Sequence, residues 1–124
     1  MLNAAPLIAF VATINLPRAR RFYEQTLGLA PVSADAYGCE LDAHGTRLRL
    51  STVQQLVPAA YSVLGWRVTD IRAEMEALRQ RGVAFERYQG FAQDELGIWA
   101  APSGNLVCWF KDPDGNVLSL TQAK

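Results

Sequence analysis

The pattern of apolar and polar positions divides the chain into two halves of similar order. Leu7–Ile14 is a continuous apolar run, which predicts a strand covered on both faces. A helix is predicted after this run. Asn15 is a suitable N-cap for it, and Gly28 can end it in a left-handed conformation. The apolar face of this predicted helix carries Ala19, Phe22, Tyr23 and Leu27.

The second half of the chain repeats this order. Tyr61–Val68 is a predicted strand, Thr69 or Asp70 caps a second helix, and Gly82 ends it. Further strands are predicted over residues 30–33, 37–41, 46–51, 83–87, 97–101, 105–111 and 117–122. The sequence therefore predicts an α+β fold of two tandem βαβββ modules, residues 5–55 and 59–122, within a single domain over residues 1–124.

Both halves end on a turn with similar residues. Asp112-Pro113-Asp114-Gly115 suits a type I turn, and Asp42 to Gly45 occupies the corresponding place in the first half. Alternation along the flanking strands then predicts which residues face each other. The expected cross-strand pairs are Glu40 with Arg47, Gly38 with Arg49, Phe110 with Val117, Cys108 with Ser119, and Trp99 with Leu106.

The charge balance, the apolar runs and the cysteines limit which partners and which cellular compartment the sequence suggests. Twelve basic residues balance twelve acidic ones, so no basic surface suggests nucleic acid or a membrane as a partner. The N-terminal segment does not resemble a signal peptide, and no apolar run is long enough to span a bilayer. Cys39 and Cys108 are expected to be buried thiols in a reducing compartment, which predicts a cytoplasmic protein.

The residues Phe22-Tyr23, Leu27-Gly28-Leu29 and Asp112 to Asn116, in this order and with the internal repeat, resemble the vicinal oxygen chelate superfamily. Its members include glyoxalase I, extradiol dioxygenases and bleomycin resistance proteins. The resemblance implies mixed sheets that curl around a central cleft. It also implies a small-molecule ligand and a homodimer that often completes the cleft.

The metal site of that superfamily is expected to be missing. The resemblance implies a divalent ion held by His, Gln or Glu side chains from the first and last strands of each module. The corresponding positions here are Ile8, Arg49, Val63 and Ser119, which are not the usual ligands. His44 is expected to be a solvated turn residue. The sequence therefore predicts no metal and no other cofactor, and it suggests no catalytic residues.

Projecting the strands onto the cleft gives candidate ligand-binding residues. Trp66 and Trp109 are expected to face the helices instead. Aromatic side chains with a few arginines are typical of small-molecule sites, although the same rings could simply fill a core. The candidate residues are Phe10, Arg49, Arg67, Trp99 and Phe110.

Arg49 is the candidate with the most specific expectation. Its predicted neighbour is Gly38, which offers no partner, so Arg49 could hold an anionic group of a ligand. The alternative is an ion pair with Glu86 or Asp94, or extension of the side chain into solvent.

Three functions remain open from the sequence. The first is a metal-free binding protein for a small organic molecule, and an anionic group on that molecule is one option. The second is a superfamily enzyme, a lyase, isomerase or dioxygenase, with a non-standard or metal-free site. The third is an interaction module whose cleft is filled by side chains.

Overall fold

Each half of the chain folds around its own four-stranded sheet. The structure is a computed structural model that describes residues 1–124, and these divide into two units, Met1–Val57 and Pro58–Lys124. Both sheets are mixed, with one parallel and two antiparallel strand pairs. None of the helices has the length and apolar character needed to cross a membrane.

The first unit has strands in the order β1-β4-β3-β2, with β1 parallel to β4. Asn15 caps α1 by accepting a hydrogen bond from the backbone N–H of Arg18, as predicted. A 3₁₀ turn, Leu2–Ala4, precedes the sheet. The elements are β1 (Ile8–Thr13), α1 (Leu16–Arg21) with a π-helical continuation (Phe22–Thr26), β2 (Ala30–Asp35), β3 (Gly38–Ala43) and β4 (Thr46–Thr52).

The second unit has the equivalent order β5-β8-β7-β6, with β5 parallel to β8. Asp70, not Thr69, caps α2, because its carboxylate accepts a hydrogen bond from the N–H of Ala73. The predicted α+β fold and βαβββ order are confirmed. The elements are β5 (Ser62–Val68), α2 (Ile71–Gln80), β6 (Trp99–Ala100), β7 (Leu106–Lys111) and β8 (Val117–Gln122).

Most buried strand residues of each unit lie on one face of its sheet, and the helix packs against that face. Burial raises the pKa of the Cys108 thiol to about 12, and it also raises the pKa of Cys39. Both thiols are free and buried. The buried strand residues on this face are Val11, Thr13, Cys39, Leu41, Leu48 and Leu50 in the first unit, and Cys108, Phe110, Leu118 and Leu120 in the second, while Gly38 and Val117 are buried on the other face.

The strand predicted over residues 83–87 is wrong. Phe85 forms only an isolated bridge to Phe110, and the N–H of Glu86 donates to the carbonyl of Trp109 at 2.8 Å. This segment leaves the sheet after Glu86, while β6 pairs with the other end of β7. Two short segments therefore share one edge of β7, and the loop of residues 87–98 runs between them.

The two turns differ although their sequences look alike. His44 and Gly45 have φ values of 51° and 92°, so they alone form a two-residue turn in which both positions are left-handed. Gly115 also has a positive φ, 88°, but it follows a turn closed by its own N–H donating to the carbonyl of Asp112. This second arrangement is a type I turn followed by a left-handed glycine, which adds a residue to the hairpin.

The expected cross-strand pairs are wrong, and the two turns explain this for the hairpins that they close. In the first unit Arg49 lies opposite Glu40 and Arg47 opposite Asp42, a shift of two that keeps every side chain on its predicted face. In the second unit Phe110 lies opposite Leu118 and Cys108 opposite Leu120. Trp99 lies opposite Val107. These shifts of one residue exchange the two faces of β7, while Trp99 and Ser119 keep the side that was predicted for them.

We expect Asp112→Ala to lower the free energy of unfolding by about 2–3 kcal/mol, because it leaves buried donors without an acceptor. The Asp112 carboxylate accepts from the N–H groups of Asp114 and Asn116 and from the Asn116 side-chain amide. Asp42→Ala is the matched control. Its carboxylate pairs with Arg47 at the surface, so we expect a loss below about 1 kcal/mol. Urea denaturation measures both, and equal losses would contradict this account of the turn.

Candidate functional site

Aromatic side chains gather on the open face of the second sheet. Trp109 and Ser119 are cross-strand partners, and Ser119 is also the partner of Gly65, so these three residues form one row across the sheet. The ring of Trp99 stacks beside Trp109, with centroids 6.1 Å apart and an interplanar angle of 30°. The helix-free side of this sheet is therefore built around two tryptophans.

The loop of residues 87–98 adds two further rings. Tyr88 meets Trp109 edge-on, with centroids 5.5 Å apart. Phe91 contacts both tryptophans, with centroids 4.9 Å from Trp99 and 5.3 Å from Trp109. Such edge-on and tilted contacts are favourable beyond the area they bury. We call Tyr88, Phe91, Trp99 and Trp109 the aromatic cluster.

Two polar side chains hold this loop in shape. The Gln93 side chain accepts from the N–H of Tyr88 and donates to the carbonyls of Glu86 and Gly97. One oxygen of Asp94 accepts from the backbone N–H groups of Leu96, Gly97 and Ile98. Because these bonds satisfy backbone groups that leave the sheet, the loop carrying Tyr88 and Phe91 has a defined conformation.

A pocket of about 360 Å³ lies beside the cluster, within the second unit. This volume is in the range of small-molecule sites. The hydroxyl of Tyr88 is buried without a hydrogen-bond partner, and burial, followed by the nearby Glu86 carboxylate, raises its pKa. We call this site the aromatic pocket; its lining residues are Ala60, Tyr61, Ser62, Tyr88, Gln89, Phe91, Trp109 and Val117.

Two hydroxyl groups lie beside this pocket. The Ser62 and Ser119 oxygens are 2.8 Å apart, and the Ser62 hydroxyl donates to the carbonyl of Leu64. The contact depends on an irregularity in β5, where the pairing register shifts between Ser62 and Leu64. It also depends on Gly65, because a Cβ atom there would lie 2.6 Å from the Ser119 oxygen.

The structure places the three predicted site residues of the second unit in different surroundings. Trp99 belongs to the aromatic cluster. Phe110 is wrongly placed by the prediction: it is 0% exposed and lies on the helix-facing side, whereas Trp109, expected to face the helices, lies on the open face. Arg67 is exposed, in the row of Thr121, and it is not among the lining residues of the pocket.

Sequence reasoning missed the pocket residues Tyr61, Ser62, Tyr88, Gln89, Phe91 and Val117 as ligand candidates. Tyr88 and Phe91 flank Gly90 in a segment that is otherwise polar. Two aromatic residues beside a glycine in a long loop are the signal that could have identified them.

In the first unit, Phe10 and Arg49 are neighbours on the open face of the sheet. Phe10 is 64% exposed. Arg49 has an acidic partner, as the alternative interpretation expected, because one guanidinium nitrogen lies 3.2 Å and 3.1 Å from the two carboxylate oxygens of Asp35. The candidates named for this partner, Glu86 and Asp94, are wrong. A ligand role for Arg49 stays a prediction, in which an anion would compete with Asp35.

The positions that correspond to the superfamily's metal ligands do not suit a metal ion. Ile8 and Val63 have no donor atoms, Arg49 carries a positive charge, and Ser119 offers a neutral hydroxyl. No group of three or more His, Cys, Asp or Glu side chains is arranged to hold an ion. His44 lies exposed in its turn, as expected.

We expect Arg49→Ala to raise the pKa of Asp35 without restoring its ordinary value. The N–H of Tyr37, which donates to Asp35 at 2.7 Å, is the larger cause of the lowered pKa, and Arg49 is the second. Since the folded-state pKa is lowered, the ionised carboxylate favours folding above its unfolded pKa, and this contribution is lost as the pH falls through the folded value.

A carboxyl ¹³C titration by NMR measures this shift. Arg47→Ala is the control and should leave the Asp35 pKa unchanged, since Arg47 pairs with Asp42. A return of Asp35 to the ordinary value in Arg49→Ala would show that the Tyr37 N–H has no effect.

Comparisons with known proteins agree with this fold. The chain shares 23% identity with a glyoxalase/bleomycin resistance protein/dioxygenase superfamily member from Sphaerobacter thermophilus, with a TM-score of 0.76 over 98% of this chain and 99% of that one. A lactoylglutathione lyase from Agrobacterium tumefaciens shares 15%, with a TM-score of 0.74 over 96% and 93%. A glyoxalase/bleomycin resistance protein/dioxygenase from Alicyclobacillus acidocaldarius shares 16%, with a TM-score of 0.70 over 97% and 92%.

These likenesses establish the fold alone, and no curated protein matches the sequence closely enough to count as a relative. The family model is more specific, because residues 7–120 match it. The chain therefore belongs to the glyoxalase/bleomycin resistance protein/dioxygenase superfamily.

Proposed function

We propose that this protein binds a small organic molecule in the aromatic pocket of its second unit. The observation that carries the proposal is the pocket itself, about 360 Å³, placed beside four aromatic rings on a sheet face without a helix. Concave sites with aromatic walls and a few polar groups are the usual form of small-molecule sites.

The hydrogen bonds of Gln93 and Asp94 support this proposal. They fix the loop that carries Tyr88 and Phe91 before any ligand arrives. A binding site whose walls are already ordered loses less conformational entropy on binding. The aromatic pocket is therefore suited to recognition by shape and stacking.

The donor chemistry at Ile8, Arg49, Val63 and Ser119 supports binding without a resident metal. A superfamily enzyme with a non-standard site is the second candidate, because the superfamily whose model matches residues 7–120 includes dioxygenases. Zinc, iron, nickel or manganese retained at near-stoichiometric amounts after dialysis would support the enzyme and contradict metal-free binding.

We also propose that the protein forms a homodimer. Strand β1 is an edge strand of its sheet, and its apolar side chains are unusually exposed for a monomer. Leu7, Ile8, Phe10 and Ile14 are between 48% and 72% exposed. Sedimentation equilibrium that finds a monomer at high micromolar concentration would contradict this assembly.

The binding proposal is tested with a thermal-shift screen of small aromatic compounds, followed by titration of the hits against Phe91→Ala. We expect Phe91→Ala to weaken the affinity about tenfold, since it removes a ring contact of about 1–2 kcal/mol. Tyr37→Ala is the control, because Tyr37 is an exposed loop aromatic of the first unit and lies outside the pocket. Hits that bind wild type and Phe91→Ala equally would show that the pocket is not their site.

A further inference from the structure

The walls of the aromatic pocket carry no formal charge. Its lining residues contribute aromatic rings, aliphatic groups, the amide of Gln89 and the hydroxyls of Tyr61, Ser62 and Tyr88, all of them uncharged. The arginines expected at the site lie elsewhere: Arg49 pairs with Asp35 in the first unit, and Arg67 does not line the pocket. An ionised ligand would lose hydration there without gaining a charged partner.

The hydroxyl pair beside the pocket has protein acceptors within reach of both its hydrogens. A serine hydroxyl has one hydrogen to donate. The Ser62 hydroxyl lies near both the carbonyl of Leu64, which can only accept, and the hydroxyl of Ser119. When the hydrogen of Ser62 goes to the carbonyl, Ser119 donates to Ser62. The pair then accepts a further hydrogen bond through its oxygen lone pairs.

We propose that the ligand of the aromatic pocket is an uncharged planar ring carrying an N–H or O–H donor. This inference rests on the proposed binding function. The ring packs among the aromatic side chains, and its donor reaches the oxygens of Ser62 and Ser119. The uncharged walls are the first support for this ligand class, and the serine pair, whose hydrogens both have protein acceptors within reach, is the second. Both disfavour the anionic ligand that the sequence suggested.

Three matched probes separate these alternatives. Indole has a ring N–H, benzofuran has the same shape with an oxygen in its place, and benzofuran-2-carboxylate adds a negative charge. Each is titrated into the full chain while the side-chain N–H signal of Trp109 is followed by NMR. We expect indole to bind about threefold to tenfold tighter than benzofuran, the worth of one hydrogen bond, and the carboxylate to bind most weakly.

Serine variants locate the acceptor. In a Ser62→Ala/Ser119→Ala double variant the preference for indole over benzofuran should fall to about one, while benzofuran itself keeps its affinity. The single variant Ser62→Ala, at an exposed position, gives a milder test if the double variant is unstable, and it should reduce the preference. Ser103→Ala is the control, because Ser103 lies in the turn before β7 and outside the pocket lining.

The outcomes distinguish this inference from the proposed function. If none of the probes shifts the Trp109 signal, the aromatic pocket is not a site for planar rings, and the proposed function fails together with the inference. If the probes bind but benzofuran or the carboxylate equals indole, the pocket binds rings and only the donor requirement is wrong. A preference for indole that survives the double variant also overturns the role of the serine pair.

Discussion

The left-handed conformation of Gly115 decides which side chains of β7 face the open side of the second sheet. Its φ of 88° places an extra residue in the hairpin after the type I turn, so that Trp109 pairs with Ser119. Without that residue the register would slip by one, and Phe110 would exchange places with Trp109. Asp112 holds the turn in this form through its bonds to the N–H groups of Asp114 and Asn116. The aromatic cluster therefore depends on a turn that lies outside it.

The same kind of constraint leads to a different surface in the first unit. His44 and Gly45 close a shorter turn, and the open face of this sheet carries the ion pairs of Arg49 with Asp35 and of Arg47 with Asp42. These are exposed or half-exposed pairs, which contribute little to stability. Two units with the same strand order thus present a charged face in one case and an aromatic face in the other.

The order of elements could be predicted from the sequence because it depends on local signals. The caps Asn15 and Asp70 and the left-handed glycine Gly28 are each recognised from their own neighbourhood in the chain. The site depends on register, which local signals determine poorly. The turn sequences around Asp42 and Asp112 look alike, yet one hairpin shifted by two residues and the other by one relative to expectation. A shift of one residue moves a side chain to the other face of the sheet, whereas a shift of two does not. The face on which Arg49 lies was therefore predicted correctly, and the face of Phe110 was not.

The remaining pocket residues could not be predicted because their positions depend on contacts distant in sequence. Ser62 reaches Ser119 only where β5 departs from regular pairing, and an irregularity of this kind leaves no reliable mark in the sequence. Tyr88 and Phe91 belong to a segment between the strands predicted over residues 83–87 and 97–101, and its charged and amide side chains are typical of an exposed loop. In the structure, the amide of Gln93 and the carboxylate of Asp94 instead satisfy the backbone of the loop itself. A polar loop whose own side chains satisfy its backbone groups can hold aromatic rings in a defined position, and in this way the second unit extends a two-tryptophan surface into a pocket.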